Sequence, residues 1–238
     1  RAKKNTGRNK KVKKLTVVSA CFYDNELPAQ RLIHSCEKFN LNLSLYGIKQ
    51  FGDNWRNMKV VKLLEHLESI ESEYVLYTDA SDSWMLFDEE TIIKKFKKHE
   101  ADILISGERN VYPEISREYP KSYTSIRYLC AGSFMGKTEC VKDALKLLLK
   151  YPEDSNDQLL WHHLFLDEKM NIKIDYTASV FLSMCGIDLD AISIVSHANN
   201  PPVILLETDE YPCVIHFNGG KGGSQNELNM IRAWELTK

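Results

Sequence analysis

The chain alternates short runs of β-branched and aromatic residues with longer stretches whose apolar positions recur every three or four residues. Residues 15–22 read as a buried first strand that ends near the small residues Ser19 and Ala20. From Pro28, Leu32, Ile33, Cys36 and Phe39 share one helical face, and residues 41–46 form a second strand. A polar loop with Gly52, Asp53, Asn54 and Trp55 leads into a helix over 57–69, whose apolar positions are Val60, Val61, Leu63, Leu64 and Leu67. Strands at 74–77 and 101–106 flank a helix over 88–99. Residues 107–128, with Pro113, Pro120 and several tyrosines, lose all periodicity and predict a long functional loop. A short strand at 129–136, a strong helix over 139–149 and a helix running from 154–157 to about 167 come next. Shorter strands are predicted at 172–175, 193–196 and 203–206, and a clearer one at 213–216. Strands alternating with helices of this length predict an α/β fold with a mainly parallel sheet and right-handed crossovers.

Composition narrows this picture. A length of 238 residues, 43% of them hydrophobic and 27% charged, suits one large domain with a substantial core. No signal peptide is visible, and no apolar run approaches the roughly 18 residues of a membrane span. The expectation is a soluble chain whose compartment the sequence leaves open. Six cysteines show no C-x-x-C pair and no zinc spacing, which predicts buried free thiols. The tripeptide Asn42-Leu43-Ser44 matches a glycosylation sequon, a pattern that arises easily by chance. Charge is unevenly placed: residues 1–14 carry eight basic side chains and no acid, and eight positive charges set against a net charge of −2 leave −10 on the remainder. Two regions are therefore expected, a basic arm over 1–14 without a core of its own and one domain over 15–238. Such an arm attracts nucleic acid or an anionic surface, or serves as a solubilising tail.

Candidate chemistry concentrates at the end of the strand at 74–77, where Thr78-Asp79-Ala80-Ser81-Asp82 places two carboxylates among small residues. The carboxyl ends of strands in open α/β sheets are where ligands bind. Paired carboxylates suit a hard cation such as Mg²⁺ or Mn²⁺, especially beside phosphates; the plainer alternative is an acid-rich turn before the next helix. His216 ends another strand and can add an imidazole to such a site, while Asn218-Gly219-Gly220-Lys221 can approach a phosphate closely, or be an ordinary surface turn. Asp154-Ser155-Asn156-Asp157-Gln158 caps a helix start and also offers Asp157 as a general base or a holder of an acceptor hydroxyl. The chain has neither a Walker lysine-hydroxyl pair nor a dinucleotide fingerprint after its first strand.

The order of several short segments resembles a known family. Met58-Lys59-Val60, Tyr77-Thr78-Asp79-Ala80-Ser81-Asp82, Ser106-Gly107-Glu108 with Tyr112-Pro113, Ala131-Gly132-Ser133-Phe134-Met135-Gly136, Asn156-Asp157-Gln158 with Phe165-Leu166-Asp167, and Ile215-His216-Phe217-Asn218-Gly219 occur in sequence. Together they resemble the glycosyltransferase domain of procollagen lysyl hydroxylases, over residues 15 to about 228. The resemblance implies a single GT-A type, Rossmann-like domain that uses a UDP-sugar and Mn²⁺ (or Mg²⁺). It implies a metal at Asp79, Asp82 and His216, donor contacts from Trp55, Lys59, Asn218, Gly219 and Lys221, and an acceptor-side role for Asp157. Ser81 stands where the family often has an aromatic, and Ser155 and Asn156 thin out its acidic stretch. The implied reaction moves a hexose to a hydroxyl of a macromolecule, such as hydroxylysine or galactosyl-hydroxylysine of a collagen-like protein. The basic arm favours a different acceptor, a hydroxylated or hydroxymethylated base in DNA. A catalytically silent nucleotide-sugar-binding module and a nucleotidyltransferase are the readings from other classes. The first leaves two aspartates and a histidine without work, and the second gives His216 and Asp157 no role.

Overall fold

A computed structural model of the chain describes residues 13–50, 54–152, 156–195, 203–219 and 224–238. A six-stranded sheet is built from β1 (Leu15–Ala20), β2 (Asn42–Tyr46), β3 (Tyr74–Thr78), β5 (Ile103–Glu108), β6 (Tyr128–Lys137) and β7 (Ile172–Asp175). Its order is β2-β1-β3-β6-β5-β7, and every pairing is parallel except the two made by β6. The mainly parallel α/β expectation therefore holds, with one long antiparallel strand set into the middle of the sheet.

Helices cover both faces, as the strand composition requires. In β3, Val75 and Tyr77 face a core filled by α2 (Lys62–Leu67), α4 (Thr138–Leu148) and α5 (Asp157–Leu166), through Leu63, Leu145 and Leu160 among others. Tyr74 and Leu76 face the opposite way, onto Leu32 of α1 (Gln30–Lys38) and Ile92 and Phe96 of α3 (Glu89–Lys97). A strand buried on both sides reads as a continuous apolar run, which is why residues 74–77 stood out.

Two short strands and one helix escape the periodicity of the sequence. β4 (Ser83–Met85) and β8 (Phe181–Ser183) have three residues each, too few to show alternation, and both pair with β11 (Val214–His216) in a second sheet of order β4-β11-β8. The helix α6 (Gln225–Thr237) buries only Ala233 and Thr237 and starts where the Ser224 hydroxyl accepts the Glu227 N–H. β9 (Ile192–Ile194) and β10 (Val203–Leu205) form a separate antiparallel pair.

One buried carboxylate organises the junction between the sheets. Asp175, fully buried at the end of β7, accepts from the backbone N–H of Ser179 at 3.0 Å, Val180 at 2.7 Å and Phe181 at 2.9 Å. Asp175→Ala would strand these donors away from water, at about 1–3 kcal/mol each. A loss of about 3 kcal/mol or more is expected in urea unfolding, with Asp175→Asn intermediate because one acceptor oxygen remains.

Candidate active site

The site forms where the two sheets meet. β3 ends at Thr78, and the following turn is closed by hydroxyls: Thr78 Oγ1 bonds Ser83 Oγ at 2.9 Å and Ser133 Oγ at 2.8 Å, and the Ser83 hydroxyl donates to the Asp79 carbonyl. All three hydroxyl residues are fully buried, so the turn is held without help from solvent. It presents Asp79 and Asp82 on the same side. β4 then runs antiparallel to β11 with Ser83 opposite His216, and the Phe217 N–H donates to the Asp82 carbonyl at 2.8 Å. This register carries an imidazole 134 positions away in sequence to the aspartates.

His216 Nε2 lies 3.4 Å from Asp82 Oδ1 and 3.7 Å from Asp79 Oδ2. Ligand atoms of the three residues all fall within 4.8 Å of one another. His216 is 2% exposed, yet neither of its ring nitrogens has a hydrogen-bond partner of good geometry among the described residues, nor does the buried Asp82 Oδ1. Buried polar atoms are almost always paired, so this set is chemically incomplete by itself. Two carboxylate groups and a neutral imidazole are a donor set that fits a divalent cation such as Mn²⁺ or Mg²⁺. Burial pushes the His216 pKa down, but the Asp82 carboxylate outweighs it and holds the imidazole protonated well above its ordinary range. Asp82 responds in kind: burial raises its pKa, the His216 charge more than offsets that, and the net shift is downward.

A glycine makes the approach possible. Strand β6 changes register against β5 between Ile105 and Ser106, whose partners are Phe134 and Cys130. The intervening residues Ala131, Gly132 and Ser133 bulge toward β3, where the Asp79 N–H donates to the Gly132 carbonyl at 2.9 Å. A Cβ on Gly132 would lie 2.2 Å from His216 Cε1 and 3.1 Å from Asp79 Oδ2. Glycine and a bulge here are the expected means of bringing backbone close to a reactive site.

Lys59 supplies the nearest positive charge. It lies in a wide turn, Asn57–Val61, in which the Lys62 N–H reaches back five residues to the Asn57 carbonyl. Such π-helical turns recur at functional sites. Its ammonium is 2.7 Å from Asp79 Oδ1 and stands 5.2 Å from the centre of the Trp55 ring, which is 54% exposed. Burial opposes the Lys59 charge, but Asp79, with Asp157 and Asp82 beyond it, keeps the pKa above its ordinary value.

Asp157 is the first residue of α5 and is 8% exposed. The helix cap is its neighbour Asn156, whose side-chain oxygen accepts from Gln158 N at 3.0 Å and Leu159 N at 3.2 Å. Asp157, beside this cap, is close enough to feel the charges of Lys59 and Asp79. Burial raises its pKa, Lys59 pulls it back, and Asp79 adds to the rise.

A second buried acid was not assigned a role from sequence. Glu108, at the end of β5 and 4% exposed, accepts from Gln158 Nε2 at 2.8 Å and from Asn218 Nδ2 at 2.9 Å. Gln158 also takes the Ala131 N–H freed by the bulge, at 3.1 Å. Burial drives the Glu108 pKa up to about 7, partly offset by the two amide donors and by the charge on His216. The folded-state value exceeds the unfolded one near 4.5, so the folded protein binds the extra proton and stability falls as pH rises through that window. Glu108→Gln should remove this dependence. Unfolding free energies of the two proteins, measured without divalent ions from pH 4.5 to 7, should diverge in the variant's favour by up to about 3 kcal/mol.

A family model described as the PLOD GT domain matches residues 9–236. The chain belongs to this family. Multifunctional procollagen lysine hydroxylase and glycosyltransferase LH3 of Homo sapiens is 26% identical over 220 residues, covering 84% of this chain and 29% of that protein. The multifunctional procollagen lysine hydroxylase and glycosyltransferase of Caenorhabditis elegans is 27% identical over 237 residues, covering 90% of this chain and 31% of that protein. The chain thus spans under a third of the length of these relatives. A solved glycosyltransferase involved in glycosylation of the major capsid of PBCV-1 shares the fold, with a TM-score of 0.55 at 11% identity over 94% of this chain and 99% of that one. This PLOD GT domain is accordingly a glycosyltransferase of GT-A fold.

Of the residues singled out by sequence, the PLOD GT domain brings Asp79, Asp82, His216, Lys59 and Asp157 to one place. Trp55 stands at its edge beside Lys59. Asn218 turns inward: its amide holds Glu108, and its Oδ1 accepts the Cys185 N–H at 3.1 Å. Gly219 follows with φ of +77°, and a Cβ there would lie 3.2 Å from the Cys185 sulfur. Lys221 and the arm's residues 1–12 lie outside the described residues. All six cysteines are free thiols. The irregular stretch between β5 and β6 is anchored by the Tyr112 carbonyl, which accepts from Gln158 and from His162 Nε2 at 2.8 Å, leaving the Tyr112 ring 65% exposed. No described helix is long and apolar enough to cross a membrane.

Proposed function

We propose that this domain transfers a hexose from a UDP-sugar to a hydroxyl of a macromolecular acceptor, with a divalent cation, Mn²⁺ or Mg²⁺, held by Asp79, Asp82 and His216. Support rests chiefly on one observation: within a glycosyltransferase fold, these three residues converge with buried atoms left unpartnered. When bound, the cation supplies positive charge to the diphosphate of the leaving nucleotide. Lys59 orients Asp79 through its 2.7 Å contact and adds a fixed positive charge on the same side. Trp55, Gly219 and Lys221 are assigned to the donor, and Asn218 acts through Glu108 and the Cys185 backbone. Asp157 is assigned to the acceptor. If the anomeric centre inverts, it takes the hydroxyl proton as general base, a role its raised pKa favours. If the centre is retained, it positions the acceptor and stabilises positive charge on the sugar.

The relatives' names, which speak of procollagen lysine, support hydroxylysine of a collagen-like protein as the first acceptor hypothesis. The eight basic residues of segment 1–14 favour a second acceptor, hydroxymethylated DNA. Mass spectrometry of hydroxylysine-containing collagen-like peptide and of hydroxymethylated duplex, each incubated with UDP-glucose or UDP-galactose and Mn²⁺, separates the two. A hexose added to the peptide is expected. A hexose on DNA alone transfers the assignment to the second acceptor, and none on either contradicts the proposal.

A further inference from the structure

Four buried hydroxyls meet at the turn that carries Asp79 and Asp82. Ser19 of β1, Thr78 at the end of β3, Ser133 in the bulge of β6 and Ser83 at the start of β4 are each fully buried. A hydroxyl has one proton to give, and this fixes the order of their bonds. Ser83 gives its proton to the Asp79 carbonyl, which can only accept. Ser83 is therefore the acceptor in its 2.9 Å bond with Thr78 Oγ1. Thr78, its proton spent there, is the acceptor in its 2.8 Å bond with Ser133 Oγ. The protons run one way, from Ser133 through Thr78 and Ser83 to the backbone of Asp79. Ser19 donates separately to the Thr78 carbonyl.

This relay touches each segment on which the cluster depends. Ser133 adjoins Gly132, whose carbonyl takes the Asp79 N–H at 2.9 Å and whose lack of a side chain admits His216. Thr78 directly precedes Asp79. Ser83 directly follows Asp82 and stands opposite His216 in the pairing of β4 with β11. The backbone of Asp79 is thus held at both its N–H and its carbonyl. Asp79 and Asp82 have ligand atoms within 4.8 Å of each other, and two carboxylates that close repel when both are ionised. The turn could relieve that repulsion by opening. Bonds made away from water have no solvent to replace them, and hydrogen bonds in a chain strengthen one another, so the relay opposes such opening.

Resting on the proposed metal role of Asp79, Asp82 and His216, we propose that Thr78 is a positioning residue of the cation site. Its hydroxyl, the middle link of the relay, keeps the two carboxylates together in the metal-free protein, so that the ion meets a site already formed. Loss of an outer partner costs metal affinity about 10–100-fold. Thr78 acts through the backbone of Asp79 and touches no ligand atom, so the lower end applies. Thr78→Val keeps the shape of the side chain and should weaken Mn²⁺ binding about tenfold. Thr78→Ser keeps the hydroxyl and should bind nearly as the wild type does.

A matched control lies at the far end of β6. Thr138, 4% exposed, donates its hydroxyl to the Ser72 carbonyl at 2.6 Å, so Thr138→Val removes a buried hydroxyl bond remote from the cluster. The test is an electron paramagnetic resonance titration of free Mn²⁺ against the wild-type chain, Thr78→Val, Thr78→Ser and Thr138→Val. The expected result is weakened binding in Thr78→Val alone. Wild-type affinity in Thr78→Val would overturn the inference. So would equal weakening by Thr138→Val, which would make the effect one of general stability, or by Thr78→Ser, which would deny the hydroxyl its part. A wild-type chain that binds no Mn²⁺ would instead bring down the metal site itself, and the inference with it. Should Thr78→Val fail to fold, Ser133→Ala decides, since it removes the first donor of the relay and leaves each remaining proton its acceptor. Weaker Mn²⁺ binding is again expected, and undiminished affinity contradicts the inference.

Discussion

Replacing Asp79 and Asp82 together by alanine is expected to abolish the Mn²⁺-dependent part of UDP binding. The double variant leaves His216 as the sole member of the cluster able to hold a cation. The loss should exceed about 100-fold, the most that removal of a mere outer partner costs. The quantity to read is the difference between titrations with and without Mn²⁺. Removing two carboxylates leaves the buried Lys59 charge without its 2.7 Å counter-ion, and that change by itself attracts a diphosphate. Calorimetric titration of UDP should therefore show weak, metal-independent binding in the variant and strong, metal-dependent binding in the wild type. A metal-dependent component of undiminished affinity in the variant would place the ion elsewhere. The pH dependence follows from His216. Its ion-free pKa is raised, so a cation must displace a proton at neutral pH, and apparent Mn²⁺ affinity should increase as pH rises.

Asp157→Asn is expected to reduce turnover by about 10²–10⁴-fold if Asp157 is the general base, with UDP affinity nearly unchanged. The substitution keeps size and leaves the Asn156 cap of α5 intact, so the helix start should survive. It removes one distant counter-charge of Lys59, whose direct partner is Asp79. A fall in turnover under about tenfold would favour the positioning role. Wild-type turnover would leave Asp157 with a structural role at the helix start alone. Steady-state rates over a range of acceptor concentrations, with donor saturating, separate these outcomes.

The sequence carried this site unevenly, for physical reasons. Asp79 and Asp82 are conspicuous because a doubly buried strand stops abruptly in charge. Asn156 and Asp157 are visible as a helix start, although only the structure shows that Asn156 is the cap, with the buried Asp157 beside it under the influence of Lys59 and Asp79. His216 stands out as an imidazole ending a strand, but its meeting with the aspartates depends on the pairing of Ser83 with His216. That pairing runs through β4, which is too short to reveal itself by alternation. Glu108 was even less legible as a functional residue. Its isolation from water is produced by Gln158 and Asn218, which arrive from a helix start and a strand end far apart in the chain. The glycine in Ala131-Gly132-Ser133 is the one local hint of the bulge, since a glycine within a strand often marks a close approach. The helix α6 stayed hidden because its apolar residues are spread around it: Met230, Ala233 and Trp234 pack on the core, while Leu228, Ile231 and Leu236 are exposed.

The most direct test is crystallographic: anomalous diffraction at the manganese edge from crystals grown with Mn²⁺ and UDP. The account predicts a single peak between the carboxylates of Asp79 and Asp82 and Nε2 of His216, with the diphosphate oxygens completing the coordination. UDP bound with manganese elsewhere, or with no manganese at all, would contradict it.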